Sequence, residues 1–214
     1  MAYSIQKGAF LVRLARSTVE EYLRTNKLKK MKIDDEKLLE KKGVFTTIET
    51  FEKIGDRINR ELRGCIGFPQ PIYGLAEAVM KSALLAAFED PRFPPLEIDE
   101  LNKVTFEVSI LTEPKLLNVD KKEVVNYIKV GRDGLIIEHG LNSGLLLPQV
   151  AVENEWDEET FLCNACLKAN LPPDAWLWKK TKIYVFQAEI FGELEPNGKI
   201  IKKEIHKRIE KSLL

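Results

Sequence analysis

Long apolar runs are missing from this 214-residue chain. No stretch reaches the roughly 18–20 residues that a membrane-crossing helix requires. The N-terminal apolar segment, Ala9 to Val12, stops at Arg13 and has no small-residue cleavage pattern after it, so no signal peptide is expected. Cysteine is sparse and odd in number, with only Cys65, Cys163 and Cys166, and no secreted disulfide framework is built that way. The expectation is a cytoplasmic protein with reduced thiols. Net charge is missing too, since 33 basic and 33 acidic side chains cancel. No whole-molecule field draws the chain to nucleic acid or anionic lipid, so neither is an expected partner, a local patch aside. Histidine is limited to His139 and His206, which leaves a cysteine–histidine hydrolase without support. No nucleophile-elbow pattern announces a serine triad. Repeats and low-complexity linkers are absent as well.

What remains is an ordinary globular composition, 44% hydrophobic, enough to fold without staples as one domain or two lobes. The spacing of Leu11, Leu14, Ala15, Thr18 and Tyr22 predicts a helix over Ile5 to Asn26. A short helix is expected within Asp35 to Lys41. The period then changes. Val44 to Glu52 and Arg60 to Phe68 read as strands around an Ile54-Gly55-Asp56 turn. Gly74 to Glu89 reads as a helix with a broad face of small and apolar residues, followed by the stiff loop Asp90-Pro91-Arg92-Phe93-Pro94-Pro95. Val104 to Ile110 alternates as a half-buried strand. Asp120 to Tyr127 suggests a short helix, and Val130 to Gly144 a glycine-punctuated hairpin. Helices follow at Gln149 to Asn154 and from an Asp157 N-cap to Asn170, then a strand over Ile183 to Phe191. This order predicts an α+β protein. A mostly antiparallel sheet flanked by helices would form a larger lobe, from 1–115 plus 182–214. Residues 116–181 would form a smaller α+β lobe, with a cleft between the two.

The densest chemical signal is Leu62-Arg63-Gly64-Cys65-Ile66-Gly67, placed where a strand gives way to two prolines. Arg63 beside Cys65 can favour a thiolate, and amides bent around Gly64 and Gly67 can cradle an anion. The same residues fit a small buried thiol with glycines shaping a turn. Spacing leaves both readings open.

This segment, the loop Asp90 to Leu96 and the stretch Gly144 to Asp157 together resemble the AMMECR family, over about Lys7 to Phe191. The resemblance implies a two-lobed α+β fold and no particular reaction. It implies association with Memo-like and radical SAM proteins, which accompany the family in some bacterial genomes. Leu62 to Gly67, Arg92, Phe93 and Pro94, and Leu147, Pro148 and Trp156 carry the family's characteristic residues, and the resemblance implies that they gather near a cleft. On that basis Cys65 and Arg63 are the candidate catalytic residues, and Gly64, Gly67, Arg92 and Phe93 the candidate ligand-binding ones.

Other features are weaker. Cys163-Asn164-Ala165-Cys166 lies inside a predicted helix with no partner pair, so neither zinc nor redox chemistry follows, and no metal or cofactor is expected. His139 falls at a hairpin bend, with nothing to tie it to Cys65. The tail from Gly198 repeats Ile201, Ile205, Ile209 and Leu213 every four residues, as a helix with one basic face would. Trp176 and Trp178 suit a core or a lobe junction. Glu77, Asp90 and Glu107 are carboxylates that could line the same cleft as Cys65.

Two functional readings follow. One is an intracellular enzyme or accessory subunit with a ligand cleft at Arg63 and Cys65, acting on a small molecule or a protein partner. The other is a non-catalytic protein- or RNA-binding module in which the motif is structural.

Overall fold

The computed structural model describes residues 2–28 and 32–205, and the chain divides into two compact units. The first contains, of the described residues, 2–28, 32–111 and 189–203. It opens with α1 (Ile5–Thr25), where the Ser4 side chain caps the Lys7 amide and Asn26, at φ 53°, ends the helix. The short α2 (Glu36–Leu39) is capped by Asp35. A long hairpin follows, β1 (Gly43–Ile54) and β2 (Arg57–Phe68), turning at Gly55 with φ 60°. Next come α3 (Leu75–Phe88) and β3 (Val104–Leu111).

The second unit contains, of the described residues, 112–188 with 204 and 205. It holds β4 (Lys115–Leu116), α4 (Val124–Tyr127), β5 (Gly134–His139), β6 (Asn142–Leu146), α5 (Pro148–Glu153), α6 (Glu158–Lys168) and β7 (Lys182–Phe186). Its sheet has the order β4-β7-β5-β6 and pairs antiparallel throughout. Leu135, Ile137 and Ile183 pack with Phe161, Leu162, Ala165 and Trp176 to form its core. The chain then returns to the first unit with β8 (Ala188–Glu193) and β9 (Ile200–Lys203). There the sheet order is β2-β1-β3-β8-β9. The α+β architecture expected from the sequence is thus present, as two sheets with helices against them.

The core of the first unit is built as the periodicities require. Leu11, Val12, Ala15 and Val19 of α1 meet Ala78, Val79, Ala83 and Ala86 of α3 over Ile48, Phe106, Val108 and Phe191 of the sheet. Small residues on α3 let the helix approach the strands closely. At Gly64 the approach is tightest, because a Cβ there would lie 2.1 Å from the Ala86 carbonyl oxygen.

Three expectations need correction. The strand expected over Ile183 to Phe191 is two strands in two sheets. Gln187 breaks it: the Thr112 amide donates to the Gln187 carbonyl at 2.8 Å, and the Gln187 amide donates to Thr112 Oγ1 at 2.8 Å. The tail begins as strand β9 instead of helix, because residues four apart share a face in either geometry. The remainder of that tail, with His206, lies outside the described residues. Finally, β3 is buried along its whole length, not on one face. Thr105, Glu107 and Ser109, which alternation assigns to solvent, are 2%, 7% and 0% exposed.

Candidate functional site

The whole Leu62–Gly67 segment lies within β2, an edge strand that ends at Phe68, as the strand expected over Arg60 to Phe68 does. The segment pairs with β1 as a strand and its glycines have no positive φ, so it forms no anion-cradling bend. Both glycines accommodate protein. Gly64 admits the α3 backbone, and a Cβ on Gly67 would meet the Val44 carbonyl at 2.2 Å.

The pairing of β2 with β1 slips by one residue between Glu49 and Ile48, so Glu49 faces Leu62 while Ile48 faces Gly64. Arg63 is the extra residue of this β-bulge, and a bulge re-aims a side chain. Arg63 is 8% exposed. Its Nε and Nη2 donate to Glu100 Oε1 and Oε2 at 2.8 and 3.0 Å. Its Nη1 and Nη2 also donate to the carbonyls of Pro94 and Pro95, at 2.9 and 3.3 Å. The guanidinium is thereby committed to holding the loop after α3.

Cys65 is approached from another direction. As an edge residue it turns its backbone outward, where Asp90 and Arg92 stand in for a neighbouring strand. The Cys65 amide donates to Asp90 Oδ2 at 2.8 Å, and Arg92 Nη2 donates to the Cys65 carbonyl at 3.2 Å. Arg92 and Asp90 are joined in turn by Nε to Oδ1 at 2.9 Å and Nη2 to Oδ2 at 2.6 Å. Phe93 is half-buried beneath the Arg92 guanidinium, with 5.4 Å from Cζ to the ring centre. Two segments far apart in sequence therefore form one assembly. The Asp90 carboxyl is pulled down to about 2 by its bonds to Arg92, against the opposing effect of burial, with further help from the Cys65 and Arg92 amides. A depressed carboxyl contributes stability that is present above its unfolded pKa, roughly 4, and is lost as pH falls towards 2. Asp90 is 4% exposed. Asp90→Asn should therefore remove at most about 2 kcal/mol of stability at pH 7 and flatten the acid limb of a urea-denaturation series between pH 5 and 2.

The thiol itself is half-buried. Burial raises its pKa, and Glu107 and Asp90 push in the same direction, against a bond from Thr47 and the charge of Arg92. At neutral pH Cys65 is thus a neutral thiol. Thr47 Oγ1 lies 3.3 Å from Sγ. In register Thr47 stands opposite both Cys65 on β2 and Glu107 on β3. From β9, Lys203 Nζ reaches Glu107 Oε2 at 2.5 Å, passing over β8 at Gly192, where a Cβ would lie 3.0 Å from Lys203 Cε. The result is a polar row, Cys65, Thr47, Glu107 and Lys203, across the sheet face opposite α3. Desolvation raises the Glu107 pKa, and Lys203 partly offsets it. Two residues along the same face of β3, Ser109 Oγ is buried with no hydrogen-bond partner.

Of the predicted site residues, the structure brings Cys65 and Arg92 together, with Phe93 below, and directs Arg63 to Glu100. Of the sequence carboxylates, Asp90 and Glu107 flank Cys65, while Glu77 pairs with Lys81 on α3 at 3.7 Å. Thr47, Ser109 and Lys203 belong to the same face and carry no signal of their own in the sequence. In the second unit, Cys166 is buried and Cys163 half-buried on α6, with the Cys166 pKa raised to about 11 by desolvation. His139 Nδ1 is 3.0 Å from Thr181 Oγ1, and its ring packs edge-on to Trp178 at 5.2 Å. Leu147 and Pro148 are buried and Trp156 half-buried around α5. Among the described residues no cluster of His, Cys, Asp and Glu could hold a metal ion, and no helix is long and apolar enough to cross a membrane.

These features define a two-unit α+β protein in which an edge strand and the loop after a helix lock together around one cysteine. The AMMECR1 family model matches residues 12–191, and the chain belongs to that family. It is 52% identical over 199 residues to protein PH0010 of Pyrococcus horikoshii, covering 92% of this chain and 95% of the relative. It is 48% identical over 203 residues to protein MJ0810 of Methanocaldococcus jannaschii, covering 94% and 98%. The crystal structure of the uncharacterized Pyrococcus horikoshii protein PH0010 superposes with a TM-score of 0.88 over 93% of this chain and 97% of that one.

Proposed function

We propose that this protein is a cytoplasmic enzyme, or the accessory subunit of one, whose ligand site lies on the Cys65 face of the five-stranded sheet. The observation that carries the reading is the polar row from Cys65 to Lys203, built on a sheet face that ordinary packing would fill with apolar side chains. Cys65 is the reacting group. Arg92, whose side chain is 45% exposed and whose Nη1 stands outside the Asp90 pair, contacts an anionic part of a small-molecule ligand. Arg63 acts as a positioning residue, fixing the Pro94-Pro95 loop against the strand.

Limiting iodoacetamide on the folded protein, followed by peptide mass mapping across pH, tests this reading. Cys65 should be modified ahead of buried Cys166, with an apparent pKa above the roughly 8.5 of a free thiol. Cys65 silence until unfolding would make the motif a packing device, and the protein a binding module whose working surface lies elsewhere.

A further inference from the structure

We propose that the cavity between α1 and the β8–β9 turn binds a small hydroxylated anion of the sugar-phosphate class. This site is separate from Cys65 and does not depend on the reading of that thiol.

Arg13, Arg16 and Glu20 follow one another on α1 at three- and four-residue spacing, so they lie along one stripe of the helix. Facing them are Glu193 at the end of β8, Asn197 in the turn and Ile200 at the start of β9. The cavity they line has a volume of about 270 Å³. Small-molecule pockets begin near roughly 300 Å³, so the occupant is small.

Arg16 shows what the cavity requires. A guanidinium carries five N–H donors. Nε uses its donor on Glu193 Oε1, Nη2 uses two on Glu193 Oε2 and the Val104 carbonyl, and Nη1 uses one on the Leu101 carbonyl. The fifth donor, also on Nη1, meets only Glu20 Oε1 at 3.8 Å, beyond the roughly 3.2 Å reach of an N–H···O bond. Arg16 is 4% exposed, and a buried donor left without an acceptor is costly. Glu20, for its part, has no closer partner among the described residues. Donor and acceptor thus face each other across a gap that suits one polar atom, accepting from Arg16 and donating to Glu20. A hydroxyl oxygen does both. An ammonium has no lone pair for the arginine, and an ionised phosphate or carboxylate has no proton for the glutamate, which also repels it.

The remaining charges place the anionic end. Glu193 neutralises Arg16, which leaves Arg13 and Glu20 as the charges of the cavity. Arg13 is exposed and has no ion pair among the described residues. It lies seven residues from Glu20, about 10 Å along the helix axis. An anionic group therefore belongs at Arg13, two turns away from the carboxylate, with the hydroxyls towards Glu20. Asn197, at φ 59° in the turn, adds an amide donor and acceptor to the lining, and Ile200 adds an apolar wall for the carbon chain. An anion and hydroxylated carbons within one small volume describe a sugar phosphate.

Calorimetric titration and saturation-transfer NMR of the full chain at low salt test this with D-ribose 5-phosphate, D-glucose 6-phosphate and glycerol 3-phosphate. Inorganic phosphate and D-ribose serve as controls. At least one of the three esters should bind at least tenfold more tightly than either control. Arg13→Ala should weaken that ester about tenfold, the weight of one charge-assisted contact, and leave D-ribose unchanged. Glu20→Ala should instead erase the preference for the ester over inorganic phosphate. Both side chains reach solvent, so both variants should keep the wild-type circular dichroism and melting temperature. Ester binding unchanged in the two variants would place the ligand elsewhere and overturn the proposal. Esters bound no more tightly than inorganic phosphate would do the same, by making the cavity a non-specific anion contact. No binding of any probe would also overturn it, leaving the gap between Arg16 and Glu20 to water.

Discussion

Glu193→Ala should lower the free energy of unfolding by about 3–5 kcal/mol, the loss typical when one partner of a buried ion pair is removed. Glu193 ends β8 at 2% exposure and faces Arg16, 4% exposed, in the middle of α1. Arg16 Nε and Nη2 donate to the two carboxylate oxygens at 2.7 and 2.5 Å. The same guanidinium donates to the carbonyls of Leu101 at 2.9 Å and Val104 at 2.7 Å, and its Cζ lies 4.7 Å from the centre of the Phe106 ring. Glu193 in turn accepts the Phe106 amide at 3.0 Å. One pair therefore ties α1, β3 and β8 together. In a chain of this size each kcal/mol moves the melting temperature by roughly 2–4 °C, so a calorimetric drop on the order of 10 °C is expected. The companion double variant, Arg16→Met with Glu193→Leu, removes the stranded charge and should recover part of that loss. It should not recover all of it, because the Leu101 and Val104 carbonyls and the Phe106 amide still lose their partners. Full additivity of the two single changes in a double-mutant cycle would show that the pair is not coupled.

That pair is invisible in the sequence for a reason that extends to the rest of the fold. The helical spacing of Leu11, Leu14, Ala15 and Thr18 identifies the buried stripe of α1, but Arg16, also buried, is not legible from that spacing, because arginine is rarely buried without a partner. Its partner lies 177 residues away, and no local pattern encodes such a distance. The same limit applies to β3. Alternation correctly puts Val104, Phe106, Val108 and Ile110 on one face, but period two says only that the other face differs, not that it is exposed. Glu107 is legible as a carboxylate of interest, whereas its companions Thr47 and Lys203 depend on strand order. A one-residue bulge defeats the pairing of Arg63 with Cys65. Without it, residues two apart would share a face and the arginine would sit beside the thiol. Helix caps are legible because their chemistry is local: Asp157 accepts the Thr160 amide at 2.8 Å, as its place before two glutamates suggests.

Gly64→Ala should destabilise the protein by about 1–3 kcal/mol and, unlike most changes of that size, should alter the reactivity of Cys65. The added methyl would lie 2.1 Å from the Ala86 carbonyl oxygen and 3.0 Å from its carbon. Both are backbone atoms of a helix whose Ala83, Ala86 and Ala87 are packed in the core, so no flexible side chain can yield. Either α3 or β2 must move outward. Movement of α3 carries with it the loop at its C-terminal end, where Asp90 holds the Cys65 amide at 2.8 Å. The expected signature is a lower melting temperature together with faster iodoacetamide labelling of Cys65, as the thiol loses the burial that keeps its pKa raised. Gly55→Ala supplies the contrast. That glycine sits at φ 60° with nothing within 4 Å of where the methyl would stand, so the cost is backbone strain of roughly 1–2 kcal/mol at the hairpin turn. It should leave Cys65 labelling unchanged, and Gly55→Asn should recover much of the stability, since asparagine tolerates the left-handed conformation. Equal labelling of Cys65 in wild type and Gly64→Ala would mean that the strand–helix spacing at Gly64 does not control the thiol, leaving Thr47, Glu107 and the Asp90–Arg92 assembly to set its environment.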